Sequence, residues 1–91
     1  MKISYSKEAD KFLKKNRDNI SNDEVDALVI LAVNKILRVE DSSIDLRKLK
    51  GKYRGSFRIR KGDRRIIFSI KKEEELTVVI HYIDFRGNVY K

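Results

Sequence analysis

Residues 48–70 have the sequence KLKGKYRGSFRIRKGDRRIIFSI, and this stretch decides how the rest of the chain is arranged. Apolar and polar side chains alternate on both sides of Gly62-Asp63, a pair that suits the two-residue type I′ or II′ turn of a hairpin. The pattern therefore predicts two antiparallel strands in a defined register. The predicted cross-strand pairs are Lys61 with Arg64, Arg60 with Arg65, Ile59 with Ile66, Arg58 with Ile67, and Phe57 with Phe68.

The predicted hairpin has two unlike faces, because successive side chains of a strand point to opposite sides. One is a core face, with Phe57, Ile59, Ile66, Phe68 and Ile70. The other, here called the arginine face, holds Arg58, Arg60, Arg65, Ile67 and Ser69. Like charges directly opposite each other destabilise a strand pair by roughly 0.2–1 kcal/mol, so the pair of Arg60 and Arg65 is unfavourable. An unfavourable pair without visible compensation is typical of a functional site. The alternative is that these arginines point into solvent or pair with carboxylates elsewhere.

The positive charge of the chain is concentrated around this hairpin. The formal net charge is +8, and residues 47–65 hold ten Lys or Arg and one acid, Asp63, while the rest of the chain holds twelve basic and thirteen acidic residues. A local excess of this kind indicates an anionic partner, with nucleic acid as the first candidate. A membrane surface, an acidic protein and a merely solvated charged face are the alternatives.

Length and composition favour one small domain in a reducing compartment. The 91 residues, 41% of them hydrophobic, can bury one modest core. Cysteine is absent, which excludes disulfides and thiolate metal sites. The longest apolar run, residues 27–33, is far too short to span a bilayer, and the chain enters strand-like sequence directly without a signal peptide. We therefore expect a cytoplasmic protein with no membrane association.

The remaining segments predict an α+β fold. Lys2–Tyr5 is predicted to be a strand. Ser6 is the predicted N-cap of a helix that ends near Asn16 or Arg17. Ser21-Asn-Asp-Glu24 is the predicted capping box of a second helix, which ends near Val39 or Glu40. Leu76–Phe85 reads as a central strand, with Val78, Ile80 and Tyr82 on one side and Val79, His81, Ile83 and Phe85 on the other. The predicted architecture is an N-terminal strand, a two-helix hairpin and a three-stranded antiparallel meander, with a free sheet face as the candidate binding surface.

The titratable residues point to chemistry without a metal or other cofactor. A single histidine, His81, excludes a two-histidine nuclease and is expected to be structural, and no carboxylate spacing supports a metal site. RNA can be cut without metal when its own 2′-hydroxyl attacks the adjacent phosphate, provided that cations stabilise the added charge and two protons are managed. The arginine face could supply the cations. Proton transfer would fall to Tyr90 or a lysine.

Nearly the whole chain resembles the RelE/ParE superfamily of bacterial and archaeal toxin–antitoxin systems. The resemblance lies in ISYSKEADKFLKK at residues 3–15, LKG at 49–51, FRIRKGDRRIIF at 57–68 and RGNVY at 86–90. It implies a single RelE/ParE-like toxin domain over residues 1–91. The favoured RelE-like branch consists of endoribonucleases that cut mRNA in the ribosomal A site and so inhibit translation. The alternatives are the ParE-like branch, which inhibits DNA gyrase, and a catalytically inert member that binds nucleic acid.

The resemblance also implies residue roles and partners. Arg65 would stabilise the transition-state phosphate, and Arg58 and Arg60 would be further catalytic cations. Arg86 corresponds to the last-strand arginine of the family. Tyr90 would stack on a base or transfer a proton. Lys48, Lys50 and Lys52 resemble residues that bind the RNA backbone, and Arg54 and Lys61 of the same basic stretch are predicted to bind RNA with them. Tyr53 could stack on a base, although Tyr53 and Tyr82 are both expected in the core or at its rim. The expected partners are a cognate antitoxin, the ribosome and mRNA, with the free toxin a monomer and the antitoxin complex a hetero-oligomer.

Overall fold

Two helices lie on one face of a five-stranded sheet in the computed structural model, which describes residues 1–85. The elements in chain order are β1 Lys2–Tyr5, α1 Lys7–Lys15, α2 Asn22–Ile36, β2 Asp45–Lys48, a short 3-10 turn Gly51–Tyr53, β3 Ser56–Lys61, β4 Arg64–Lys72 and β5 Leu76–Phe85. None of the helices in this part of the chain is long and apolar enough to cross a membrane. The extension of the domain to residue 91 stays a prediction.

The sheet has the strand order β1-β5-β4-β3-β2. Strands β2 to β5 form an antiparallel meander, and β1 returns from the chain start to pair in parallel with β5. The predicted α+β architecture is confirmed, and β5 has the predicted bounds. Strand β2 adds one member to the predicted three-stranded meander, so that the hairpin strand β3 has a neighbour on each side.

The hairpin register agrees with the prediction at all five pairs, from Lys61 opposite Arg64 to Phe57 opposite Phe68. The turn needs its glycine, because Gly62 has a φ of +60°, which side chains disfavour. Asp63 is not among the residues with positive φ. Positive φ at the first central residue alone matches the type II′ turn rather than type I′.

The core lies between the helices and the core face of the sheet. Ile59, Ile66 and Phe68 are fully buried there against helix residues such as Val25 and Val29. Both predicted helix starts are observed: the hydroxyl of Ser6 accepts from the Ala9 N–H, and that of Ser21 from the Glu24 N–H, at 3.1 Å each. Because all this packing is on one side, the arginine face is the side of the sheet away from the helices.

Helix α2 ends at Ile36, three to four residues before the predicted end. The N–H of Arg38 donates to the Lys35 carbonyl, and the N–H of Val39 donates to the Asn34 carbonyl, which is the Schellman pattern of helix termination. Arg38 occupies the left-handed position of this motif with a φ of +58°. The prediction was wrong because glycine, the residue that usually marks this position, is absent here.

A β-bulge changes the faces of strand β5. Tyr82 pairs with Ile67 and Ile80 pairs with Phe68, which leaves His81 as an extra residue between them. The strict alternation predicted for this strand was therefore wrong from Tyr82 onward. Ile83 lies in the core with Ile80. Tyr82 lies outside the core, with 42% of its own surface exposed.

Candidate nucleic-acid interface

The arginine face is crossed by two rows of side chains, because directly paired residues of neighbouring strands share a face. The first row is Asp45, Arg60, Arg65 and Asp84, and the second is Arg47, Arg58, Ile67 and Tyr82. The two rows bring the three arginines predicted to be catalytic, Arg58, Arg60 and Arg65, to one surface. They also add Asp45 and Arg47, which the sequence analysis did not single out.

Asp45 compensates the cross-strand repulsion that the sequence predicted. Its two carboxylate oxygens accept from Nη2 of Arg58 at 2.8 Å and from Nε of Arg60 at 3.0 Å. The absence of compensation, inferred from the hairpin alone, was therefore wrong, since the partner lies on β2, 13 residues before Arg58 and 15 before Arg60. The interpretation in which these arginines pair with a carboxylate elsewhere is correct for Arg58 and Arg60.

The pKa of Asp45 is lowered by this environment. Desolvation is the largest single influence and would raise the pKa, but it is outweighed by the hydrogen bond from Arg60 together with the charges of Arg58, Arg60 and Arg47. The carboxylate is therefore ionised throughout the neutral range. It neutralises about one of the two positive charges that it contacts.

Arg58 and Arg60 differ sharply in exposure although they share one partner. The Arg58 side chain is 7% exposed, and the Arg60 side chain is 48% exposed. The buried Nε of Arg58 also has no hydrogen-bond acceptor within the described structure. Arg60 can therefore contact a ligand directly. Arg58 is buried at the centre of the arginine face, where its main role is to position the Asp45 carboxylate.

Arg65 keeps its positive charge. Its Nη1 donates to the backbone carbonyls of Gly62 at 3.0 Å and Arg64 at 3.2 Å. Both acceptors are neutral, so these bonds orient the guanidinium without cancelling its charge. Asp84 lies opposite Arg65 on β5, and its Oδ1 accepts from the Phe85 N–H at 2.7 Å. Arg65 is thus a positioned cation at the half-buried middle of the first row.

The predicted RNA-binding residues fall into separate places. A surface cavity of about 450 Å³ is lined by Lys48, Leu49, Lys50, Gly51, Arg54 and Gly55. Lys52 lies instead on the arginine face, over the ring of Tyr53. Lys61 lines a different cavity beside Leu28 and Leu31 of α2. The structure therefore brings together Lys48, Lys50 and Arg54, and sets Lys61 apart from them.

Two predicted catalytic residues, Arg86 and Tyr90, lie outside the described residues. Within residues 1–85 no group of three or more His, Asp or Glu side chains is arranged to hold a metal ion. The arrangement on this face can bind and orient an anion through Arg60 and Arg65. Proton transfer by Tyr90 or a lysine stays a prediction.

His81 lies on the arginine face, two residues after Val79, and the bulge places Tyr82 on the same face beside it. Its Nε2 is 2.8 Å from Oγ of Ser69. Burial, with a smaller contribution from the charge of Lys71, lowers the pKa of His81 below its ordinary value. A shallow cavity of about 260 Å³ next to it, here called the tyrosine cavity, is lined by Lys52, Tyr53, Ser56, His81 and Tyr82.

Comparison with solved structures identifies this arrangement of strands and helices. YafQ from Escherichia coli BL21(DE3) matches with a TM-score of 0.72 and 14% identity over 98% of this chain and 97% of that one. A metal-bound toxin from Helicobacter pylori matches with a TM-score of 0.68 and 20% identity over 99% of both chains. A chain of the RelBE2 toxin–antitoxin complex from Mycobacterium tuberculosis matches with a TM-score of 0.58 and 26% identity over 93% of this chain and 96% of that one.

The chain has the RelE/YoeB-type toxin fold. No protein-family model and no curated protein sequence matches the chain. The RelE-type resemblance inferred from the sequence motifs is thus confirmed at the level of the fold. Because this fold is shared by proteins of low sequence identity, the role of each side chain depends on the geometry described above.

Proposed function

We propose that this protein is the toxin of a type II toxin–antitoxin system and acts as a ribosome-dependent mRNA endoribonuclease without a metal. The observation that carries the proposal is Arg65, a positioned cation whose side-chain hydrogen bonds go to neutral carbonyls, beside the half-exposed Arg60. Support at the coarser level comes from the fold, which it shares with proteins named as toxins. The arginine face is the proposed substrate-binding surface.

In the proposed reaction the 2′-hydroxyl of the RNA attacks the adjacent phosphate and expels the 5′-oxygen of the next nucleotide. Negative charge grows on the non-bridging phosphate oxygens, and guanidinium groups stabilise it through paired hydrogen bonds. Arg65 and Arg60 take this role. Arg58 is assigned to the same centre, where its burial and its bond to Asp45 make it a support for Arg60.

The remaining roles follow the family resemblance. Lys48, Lys50, Lys52, Arg54 and Lys61 bind the RNA backbone, which needs positive charge but little fixed geometry. Arg86 adds a cation from the end of the last strand. Tyr90 stacks on a base or transfers a proton, with a lysine as the alternative proton carrier.

The proposed partners are the ribosome, mRNA and a cognate antitoxin, in the cytoplasm. Structures named as RelB–RelE antitoxin–toxin complexes exist for Mycobacterium tuberculosis and Methanococcus jannaschii, and chains of both match this fold. We extend that partnership to this protein. The free toxin is then a monomer, and an antitoxin that covers the arginine face forms a hetero-oligomer with it.

The test is a cell-free translation reaction in which mRNA 5′ ends are mapped by primer extension. The proposal expects cuts on translated message only, lost when Arg65→Ala is used. Arg17→Ala is the matched control, because Arg17 lies in the connection between α1 and α2 on the other side of the sheet, and it should cut normally.

A gyrase supercoiling assay on the same preparation separates the other branch of the superfamily. Intact message together with inhibited gyrase would overturn the nuclease proposal and assign the arginine face to protein binding. Intact message with active gyrase, and nucleic-acid binding that weakens steeply with salt, would leave a catalytically inert binder.

A further inference from the structure

The tyrosine cavity combines features that the proposed chemistry does not use. Tyr82 is the one aromatic side chain of residues 1–85 that is classed as exposed, with 42% of its surface accessible. The ring of Tyr53 meets it edge to face, with 6.0 Å between centroids and 84° between planes. This contact holds the Tyr82 ring from one side in a defined orientation. A fixed, exposed aromatic face on a basic surface is what single-stranded nucleic-acid binders present to a base.

The polar groups of the cavity suit a nucleotide. The Nζ of Lys52, which the proposed function assigns to the RNA backbone, lies 5.4 Å from the centre of the Tyr53 ring, so a cation stands beside the aromatic pair. His81 is held by Ser69, and its lowered pKa keeps the imidazole neutral at physiological pH. Because Nε2 is engaged with Ser69, the other ring nitrogen, Nδ1, remains as a single donor or acceptor for the polar edge of a base.

The distance to the arginines fits one nucleotide. Tyr82 is directly opposite Ile67, and Arg65 lies two residues before Ile67 on the same face of β4. Such diagonal neighbours are separated by roughly 7–8 Å, which long side chains can bridge. A nucleotide carries its base and its phosphate on one sugar, so a phosphate on Arg65 leaves its base within reach of Tyr82.

We propose that the tyrosine cavity binds one unstacked base of single-stranded RNA, with the ring of Tyr82 as the stacking surface and His81 at the base edge. This inference rests on the proposed function for the identity of the ligand as RNA. It assigns to Tyr82 a binding role in place of the core or rim position expected from the sequence. It also gives a role to the bulge in β5, which places Tyr82 on the arginine face beside His81.

The experiment measures binding of the full chain to a fluorescein-labelled 2′-O-methyl oligonucleotide of about ten nucleotides. Methylation blocks the attacking hydroxyl, so binding is recorded without cleavage. The comparison ligand is an abasic sugar–phosphate strand of the same length. Wild type should bind the strand with bases about five-fold or more tightly than the abasic strand.

Variants at Tyr82 test the role of the ring. Tyr82→Leu keeps an apolar side chain in the strand but has no aromatic face, and Tyr82→Phe keeps the face. The Leu variant should show a clearly smaller preference for the strand with bases than wild type, any remainder being the contribution of Tyr90, whereas the Phe variant should keep the full preference. Ile30→Ala is the matched control, because Ile30 is 40% exposed on α2, away from this face.

Three outcomes would overturn the inference. They are equal affinity of wild type for the two strands, an undiminished preference in a folded Tyr82→Leu variant, and loss of binding to a protein partner as the only effect of that variant. Circular dichroism establishes that each variant is folded. If the protein prefers the strand with bases but leaves translated message intact, this inference stands and the proposed nuclease activity is refuted. If it cuts translated message but shows no preference for the strand with bases, only this inference is refuted.

Discussion

One carboxylate determines how two arginines of the arginine face behave. Asp45 contacts both guanidinium groups, but Arg58 is buried and Arg60 is half exposed. A buried charge depends on its partners, whereas an exposed one is also solvated by water. The two arginines should therefore contribute unequally to stability and to ligand binding.

We expect Arg58→Ala to lower the free energy of unfolding by about 1.5–3 kcal/mol, because it removes a buried charged hydrogen bond and the packing of the side chain. Arg60→Ala, with the same partner but half exposed, should cost at most about 1 kcal/mol. Urea denaturation of both variants measures the difference. Equal losses would show that burial does not separate the two arginines.

The single histidine gives a second prediction at this scale. The pKa of His81 is lowered in the folded protein, so the unfolded chain binds the proton first as the pH falls. Stability should therefore be complete above about pH 6.5 and decrease as the pH falls through that value. Urea midpoints at about pH 7.5 and about pH 5.5 measure the loss. His81→Gln should show a smaller difference between the two midpoints, and an unchanged difference would assign the effect to other groups.

At the scale of elements, the end of α2 is held in an unfavourable conformation for its residue. Arg38 has a φ of +58° at the position where helices usually place glycine. The two Schellman hydrogen bonds keep it there. The same backbone with glycine would avoid the contact between Cβ and the neighbouring carbonyl.

Arg38→Gly should therefore raise the free energy of unfolding by about 0.5–1 kcal/mol, a net value after the greater flexibility of glycine in the unfolded chain. Thermal or urea unfolding measures the change. Arg17→Gly is the control, since Arg17 is not among the residues with positive φ and should gain nothing. A loss of stability in Arg38→Gly would mean that the arginine side chain makes contacts worth more than the strain.

The elements also show what the sequence could and could not predict. The hairpin register was predictable to the residue because Gly62-Asp63 defines the turn and alternation defines the faces. Strand β2 was not, since its four residues contain three charges and depend on β3 for pairing. Without β2, Asp45 could not be placed beside Arg58 and Arg60. The bulge at His81 was also unpredictable. Both faces of β5 carry apolar or aromatic residues, so a shift of one residue in the alternation does not change which residue types the sequence shows.

At the scale of the whole molecule, positive charge is concentrated in one part of the chain. Residues 47–65 carry a net charge of +9, ten basic residues against one acid, and run from the end of β2 through the 3-10 turn and β3 to the start of β4, while the rest of the chain carries −1. The helix side includes compensated pairs such as Lys14 with Asp10 at 2.9 Å. Arg64 of this stretch pairs with Glu24 of α2, so an anionic polymer should contact the stretch mainly through the arginine face and the adjoining turn.

We expect affinity for single-stranded RNA to fall with salt, with a slope of about −0.7 for each phosphate neutralised. Lys50→Ala, which lines the 450 Å³ cavity, should reduce that slope by about one contact. Lys14→Ala on α1 should leave it unchanged. Titration at several salt concentrations measures the slopes, and equal effects of the two variants would contradict a one-sided interface.

The parallel pairing of β1 with β5 has a consequence for the order of assembly during synthesis. Ile3 lies opposite Val78, so the first strand made must wait for the last described strand before its backbone is paired. Contacts this distant in sequence form late, because the intervening chain must be ordered first. While residues 76–85 are still inside the exit tunnel, the sheet lacks its most connected strand and the arginine face lacks Tyr82 and His81. The nascent chain therefore lacks a complete arginine face until β5 has emerged and paired with β4.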